Sequence, residues 1–158
     1  MKNIITIPES ELQQQINLRN FYMGESAKRK DMDADTIQSS KDDEDLLRVF
    51  MHTACNGLVT AVALRFPSIS YRMEYGNIIF EFETANTVSS HLLPMLQRAI
   101  LDCIVNEVIM QWLLLRRPDM AHTYISLRSS LAGNVMFTFA KIYNSKKIRR
   151  RATDLGGI

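Results

Sequence analysis

A few residue groupings in this chain have the types and spacing to do chemistry. His52 and Cys55 stand one helical turn apart, a separation that suits two ligands of a tetrahedral metal site. No second pair accompanies them, so the sequence predicts structural roles for both. His91 and His122 fall in other segments. Asp31, Asp33 and Asp35 alternate as the opening of a calcium loop does, yet no glycine follows at the turn position and the bidentate glutamate is missing at its spacing, which excludes calcium there. Asp102, Asn106 and Glu107 could be imagined as a buried acid pair, but they also form the only polar stripe on an apolar segment, and a solvated or interface stripe is the reading adopted. Serine-nucleophile motifs, phosphate-binding glycine loops and dinucleotide fingerprints are absent. The sequence thus predicts no enzyme, no metal and no cofactor.

The remaining chemistry is electrostatic. Lys141, Lys146, Lys147, Arg149, Arg150 and Arg151 crowd together where a long helical pattern gives out. Cations near a helix C-terminus complement its dipole, and the same run could meet phosphate backbone or an acidic protein surface. Contacts to nucleic acid there would be sequence-independent and weakened by salt. No helix-turn-helix spacing puts basic residues on a recognition helix, so sequence-specific DNA reading is weakly supported.

Composition bounds what can position these groups. The 158 residues fit one domain, 46% hydrophobic and 23% charged, with a net charge of only +2. A domain of this size buries roughly 70% of its unfolded surface and needs no staples. Any polyanion binding must come from local clustering. Cys55 and Cys103 lie in apolar helical patterns, as free thiols in a reducing compartment would. Residues 1–8 lack the apolar core and cleavage site of a secretory signal. The most apolar stretch, 99–115, is interrupted by Asp102, Asn106, Glu107 and Gln111, and reads as a buried core helix rather than a membrane span.

Along the chain, a first helical pattern is expected to begin after Thr6-Ile7-Pro8-Glu9-Ser10-Glu11, whose proline and acidic residues suit a first turn, and to run to about Lys30, with Leu12, Ile16, Leu18, Phe21, Tyr22 and Met23 at helical spacings. Its modest apolar face suits packing on a neighbouring subunit. Residues 31–40 read as a connector, and Asp42, Asp43, Glu44 and Asp45 as the acidic first turn of a second helix that ends near Arg65, before Pro67. Gly57 within it is expected at a close helix contact. Residues 69–83 switch to alternation. A turn at Gly76-Asn77 would pair Tyr75 with Ile78, Met73 with Phe80 and Tyr71 with Phe82. Such a hairpin is marginal alone, so it must pack on helices or join strands of another chain. A third helix with Pro94 in its first turn is apolar nearly all round, hence central or buried between subunits. Arg116-Arg117-Pro118-Asp119 breaks it, and a fourth helix follows. The expected fold is mainly α: a bundle of about four helices with an inserted β-hairpin and an extended basic C-terminal tail. It forms one domain, with the N-terminal helix and connector in 1–40, the helical core in 41–144 and the tail in 145–158.

This layout resembles the head-tail connector, or adaptor, proteins of tailed bacteriophages. The strings Tyr22-Met23-Gly24-Glu25-Ser26-Ala27, Asp42-Asp43-Glu44-Asp45-Leu46-Leu47, Arg117-Pro118-Asp119 with Tyr124, and Arg149-Arg150-Arg151 are similar to those of phage and prophage proteins. The resemblance implies a ring, commonly of twelve subunits, docked under the portal protein at the capsid vertex, receiving tail or neck proteins below and surrounding the DNA channel. It implies a virion protein made in the host cytoplasm, with no catalytic residues and no membrane. Lys146, Lys147, Arg149, Arg150 and Arg151 are the expected contacts to portal or DNA, and Tyr71, Met73, Tyr75, Phe80 and Phe82 those between subunits. The long N-terminal helix departs from the pattern and leaves a tail-completion ring open. A nonspecific nucleic-acid binder and a small cellular adaptor are the other classes.

Overall fold

The computed structural model describes residues 1–28, 39–85 and 87–153, with side chains described through residue 144. The order is strand β1 (Lys2–Pro8), helix α1 (Glu9–Lys28), a short 3-10 turn, α2 (Glu44–Ala63), the hairpin β2 (Ser70–Glu74) and β3 (Asn77–Glu83), α3 (Leu92–Arg116), a second 3-10 turn and α4 (His122–Thr153). The mainly helical architecture expected from the sequence is present.

The helices surround α3. Leu96, Ile100, Ile104, Val108 and Trp112 on one face and Leu101, Val105, Ile109 and Leu113 on another are all buried, so α3 has apolar partners on nearly every side. It packs against α1, α2 and α4. Its polar stripe faces neighbouring helices rather than open solvent. Asp102 pairs with Arg19 of α1 at 3.4 Å and with Arg98 at 3.1 Å, and Glu107 pairs with Arg128 of α4 at 2.9 Å. The two carboxylates imagined as an acid pair are therefore paired with separate arginines.

Beside the helices lies a three-stranded antiparallel sheet in the order β1-β3-β2. The hairpin is completed by residues 2–8 of the same chain, with Ile5 opposite Phe80 and Ile7 opposite Ile78. All four of these side chains are buried. β1 is absent from the sequence reading, although Ile5 and Ile7 alternate with Ile4 and Thr6 as a half-buried strand does. Glu81 on the central strand binds Lys2 from one edge, at 2.8 Å, and Arg72 from the other. Phe139 of α4 meets Phe82 edge-on at 5.1 Å and stacks on Phe66 at 5.4 Å, joining α4 to the sheet and to the end of α2.

Other expectations change. Gly57 faces open space, with nothing within 4 Å of where a Cβ would stand, so no close helix contact requires it. Helix α4 runs to Thr153, so the backbone from Lys146 to Arg151 is helical rather than a tail that follows the helix. Asp31, Asp33 and Asp35 lie outside the described residues.

Candidate subunit interface

The hairpin register differs from the expected one by two residues. Glu74 pairs with Asn77, Met73 with Ile78 and Tyr71 with Phe80, which makes Tyr75-Gly76 the two-residue loop. Both loop residues have positive φ, 51° for Tyr75 and 73° for Gly76, the signature of a type I′ turn. A shift of two preserves the alternation, so the apolar residues keep their face. The turn is pinned twice. The Glu9 amide donates to the Gly76 carbonyl oxygen at 2.9 Å, and Asn77 Nδ2 donates to the Tyr75 carbonyl oxygen at 3.2 Å.

This register sorts the five residues expected to contact other subunits. Phe80 and Phe82 are fully buried in the protomer's own core and cannot reach a neighbour. Tyr71 and Met73 are half-buried against the same core. The Tyr71 ring stacks on Phe80 at 5.9 Å, and its hydroxyl donates to the His52 carbonyl oxygen at 3.3 Å. Burial, with a smaller contribution from the Cys55 sulfur, pushes the Tyr71 phenol above its ordinary pKa. Tyr75 alone of the five points outward, with 93% of its surface exposed.

A left-handed aromatic residue at a fully exposed turn is costly without a folding return. The conformation disfavours a non-glycine residue by roughly 1–2 kcal/mol, and Asn or Gly would fit the position better. Its side chain buries nothing in the protomer. Such an outlier directs attention to recognition.

The outer face of α1 supplies a second unusual surface. Leu12, Ile16, Asn20, Gly24 and Ala27 face inward. Leu18, Phe21 and Tyr22, grouped with Leu12 and Ile16 in the sequence pattern, instead remain 46%, 50% and 64% exposed, about one turn apart. Beside them is an open hollow of about 250 Å³, lined by Asn17, Asn20, Phe21 and Ser39. The Ser39 hydroxyl donates to Asn17 Oδ1 at 3.0 Å on its wall. Asn20 is 1% exposed, and among the described residues neither Oδ1 nor Nδ2 has a hydrogen-bond partner. A buried amide group left unpaired costs about 1–3 kcal/mol. The burial of Asn20 had no sequence signal.

His52 is exposed at the edge of the hairpin, while Cys55 is buried. Burial pushes the Cys55 thiol up to about 12, with Cys103 adding to the effect. Among the described residues no group of three or more His, Cys, Asp or Glu side chains is placed to hold a metal ion. One member of the acidic run closes the 3-10 turn that leads into α2, and it makes no side-chain cap bond to α2 itself. Asp43 Oδ2 accepts from both the Ser40 amide and the Ser40 hydroxyl at 2.8 Å, and its Oδ1 accepts from Arg116 at 2.9 Å.

At the other end, α4 is tied down at Tyr143. Its hydroxyl donates to the Glu83 carbonyl oxygen at 2.6 Å, and its ring stacks on Phe66 at 4.7 Å. The helix then continues to Thr153, about 15 Å further. The side chains of Lys146, Lys147, Arg149, Arg150 and Arg151 lie outside the described ones. Lys141, the first cation of the run, sits 4.4 Å over the Phe137 ring.

No protein-family model matches the chain, and no curated protein or solved structure matches it.

Proposed function

We propose that this chain is a structural subunit of a phage head-tail connector ring, linking the portal to the tail around the DNA channel. It acts without catalysis or cofactor. The observation that carries this reading is Tyr75, a wholly exposed aromatic residue locked at the tip of a rigid hairpin. Buried aromatic anchors dominate protein interfaces, and rigidity lowers the entropy lost on docking. The exposed Leu18, Phe21 and Tyr22 extend the apolar surface available to neighbours.

In this reading the α4 extension carries Lys146, Lys147, Arg149, Arg150 and Arg151 to the portal or to DNA phosphates. That basic helical run also favours a second reading, a nonspecific nucleic-acid binder, because phosphate contacts need only clustered cations.

The test is the mass of the purified protein in solution at low and high salt, with images of any large species. The connector reading expects closed rings, either alone or on addition of a portal protein. A monomer or dimer that binds DNA at low salt, releases it at moderate salt and never forms a larger assembly would overturn it.

A further inference from the structure

We propose that the free edge of β2 pairs with the same edge of a second copy, antiparallel and centred on Met73, so that two three-stranded sheets join into one. The contact goes beyond the connector reading, because it is two-fold, whereas a ring closes through head-to-tail contacts.

The two edges of the sheet are not equivalent. β1 is guarded. Pro8 has no amide hydrogen to offer, Gln97 of α3 donates to the Thr6 carbonyl oxygen at 3.4 Å, and α3 packs against the strand. β2 is open. Its two-residue loop makes Glu74 and Asn77 a hydrogen-bonded pair, so alternation turns the amides and carbonyls of Tyr71 and Met73 away from β3. Among the described residues no hydrogen bond reaches those groups. The side chains of Tyr71 and Met73 are only half-buried, whereas Ile5, Ile7, Ile78 and Phe80 on the same face of the sheet are fully buried.

The charges on this edge select a second copy as its partner. Arg72 and Glu74 lie on the outer face of the sheet with side chains 47% and 44% exposed. Edge charges of one sign ward off pairing, but these are of opposite sign and two residues apart. A register centred on Met73 sets Arg72 opposite Glu74 of the second copy and Glu74 opposite its Arg72, two attractive cross-strand pairs. Between them the outward amide and carbonyl of each Met73 bond to those of the other. Centring on Arg72 would instead oppose the two arginines, and a slip of one residue would turn the polar side chains onto the apolar face.

Helix α2 continues the same surface. Its buried face packs on α3, and its flank lies under β2, where the Tyr71 hydroxyl meets the His52 carbonyl. The face turned away from α3 looks the same way as the β2 edge and carries Val49, Thr53, Asn56 and Thr60, all exposed and none charged. Gly57 beside them leaves open space for a neighbouring helix. The two-fold that pairs the strands sets this face against its own copy.

Met73→Cys in the full-length chain tests the register. The two sulfurs fall on residues whose Cα atoms are about 5.5 Å apart, within disulfide reach, so mild oxidation should give a covalent dimer linked 73 to 73. Ser70→Cys, with its two copies about 20 Å apart in this register, should stay unlinked, as should the wild-type chain. Equal linking at positions 70 and 73 would overturn the register. Rings that form without the 73-to-73 link would overturn the contact and leave the connector reading standing. The link in a protein that never forms rings would support the contact and sink that reading.

Charge reversal tests the complementarity. Arg72→Glu and Glu74→Arg, each confirmed folded by its unfolding midpoint, place like charges opposite each other twice and should dimerise at least about tenfold more weakly than wild type. An equimolar mixture of the two restores both opposite-charge pairs and should recover the wild-type association in sedimentation. A mixture that stays monomeric would overturn the pairing. So would a wild-type chain that remains monomeric at the highest attainable concentration, which would leave the edge to a strand of a different protein.

Discussion

Arg116 at the last turn of α3 donates to Asp43 Oδ1 at 2.9 Å, tying the end of the central helix to the start of α2. The same guanidinium sits 4.8 Å over the Trp112 ring. The carboxylate also receives the Ser40 amide and hydroxyl. One acidic residue thus closes the 3-10 turn that leads into α2 and links that turn to α3.

These contacts hold the Asp43 carboxyl below its ordinary pKa of 3.8, chiefly through the Ser40 backbone hydrogen bond, against a smaller opposing effect of burial. A depressed folded-state value means that the stabilisation is complete above the unfolded-state pKa. It is lost as pH falls through the folded-state value. Asp43→Ala should therefore destabilise by about 1 kcal/mol near neutral pH, a figure typical of a lost cap plus an exposed ion pair. The difference from wild type should shrink below about pH 4. Chemical denaturation of both proteins between pH 3 and 7 reads this directly, and a pH-independent difference would contradict it.

The hairpin turn gives a prediction of opposite sign. Tyr75→Asn creates the Asn-Gly pair that a type I′ turn prefers, at a position where the wild-type side chain is 93% exposed and has no packing to lose. The variant should be more stable by roughly 1 kcal/mol, seen as a higher urea midpoint with an unchanged slope. Gly76→Ala, at φ 73°, should lose a comparable amount. A destabilised Tyr75→Asn protein would show that the tyrosine is held by the fold rather than kept for an encounter.

The hairpin also shows how far a sequence can be read. The change from helical to alternating period between Ile69 and Glu83 was legible because it follows from side-chain direction alone. The loop position was not, since Tyr75-Gly76 and Gly76-Asn77 place the same residues on the same faces. What separates them is the pair of backbone bonds to Gly76 and Tyr75, made by Glu9 and Asn77. Strand β1 was missed because Pro8 and Glu9 signal a helix entry so strongly that the preceding residues read as a lead-in. Only their nonlocal pairing with β3 reveals the strand. Of the five hairpin residues expected to contact other subunits, burial removes Phe80 and Phe82 and leaves Tyr75 exposed. Asn20 could not be recognised, because a polar residue gives no periodic signal of burial.

The two thiols should be inert in the folded protein. Burial raises Cys55 to about 12, and Cys103 to about 11 with a further push from Glu107. Thiol reagents act on the thiolate, so labelling at pH 8 should be slow and limited by opening of the structure. Both thiols should react at once in denaturant. Because the folded-state values lie above the unfolded value of 9.0, their contribution to stability is intact below pH 9 and declines as pH rises beyond it. Rapid labelling of Cys55 under native conditions would mean that the α2–α3 contact opens readily.

The α4 extension can be separated from the body by truncation. Ile142 is the last buried residue of the described core, and Tyr143 makes the last described contacts to the sheet and to α2. A chain ending at Asn144 should therefore keep its stability within about 0.5 kcal/mol. What it loses is the run of Lys146, Lys147, Arg149, Arg150 and Arg151. If those residues meet DNA, truncation should abolish salt-sensitive retention. The slope of log affinity against log salt in the intact chain should then be close to −0.9 for each phosphate neutralised. If they meet the portal, DNA retention should be weak in both proteins, and only the intact chain should bind a portal ring. A truncated chain that unfolds would instead make the extension part of the body, held by contacts beyond Tyr143.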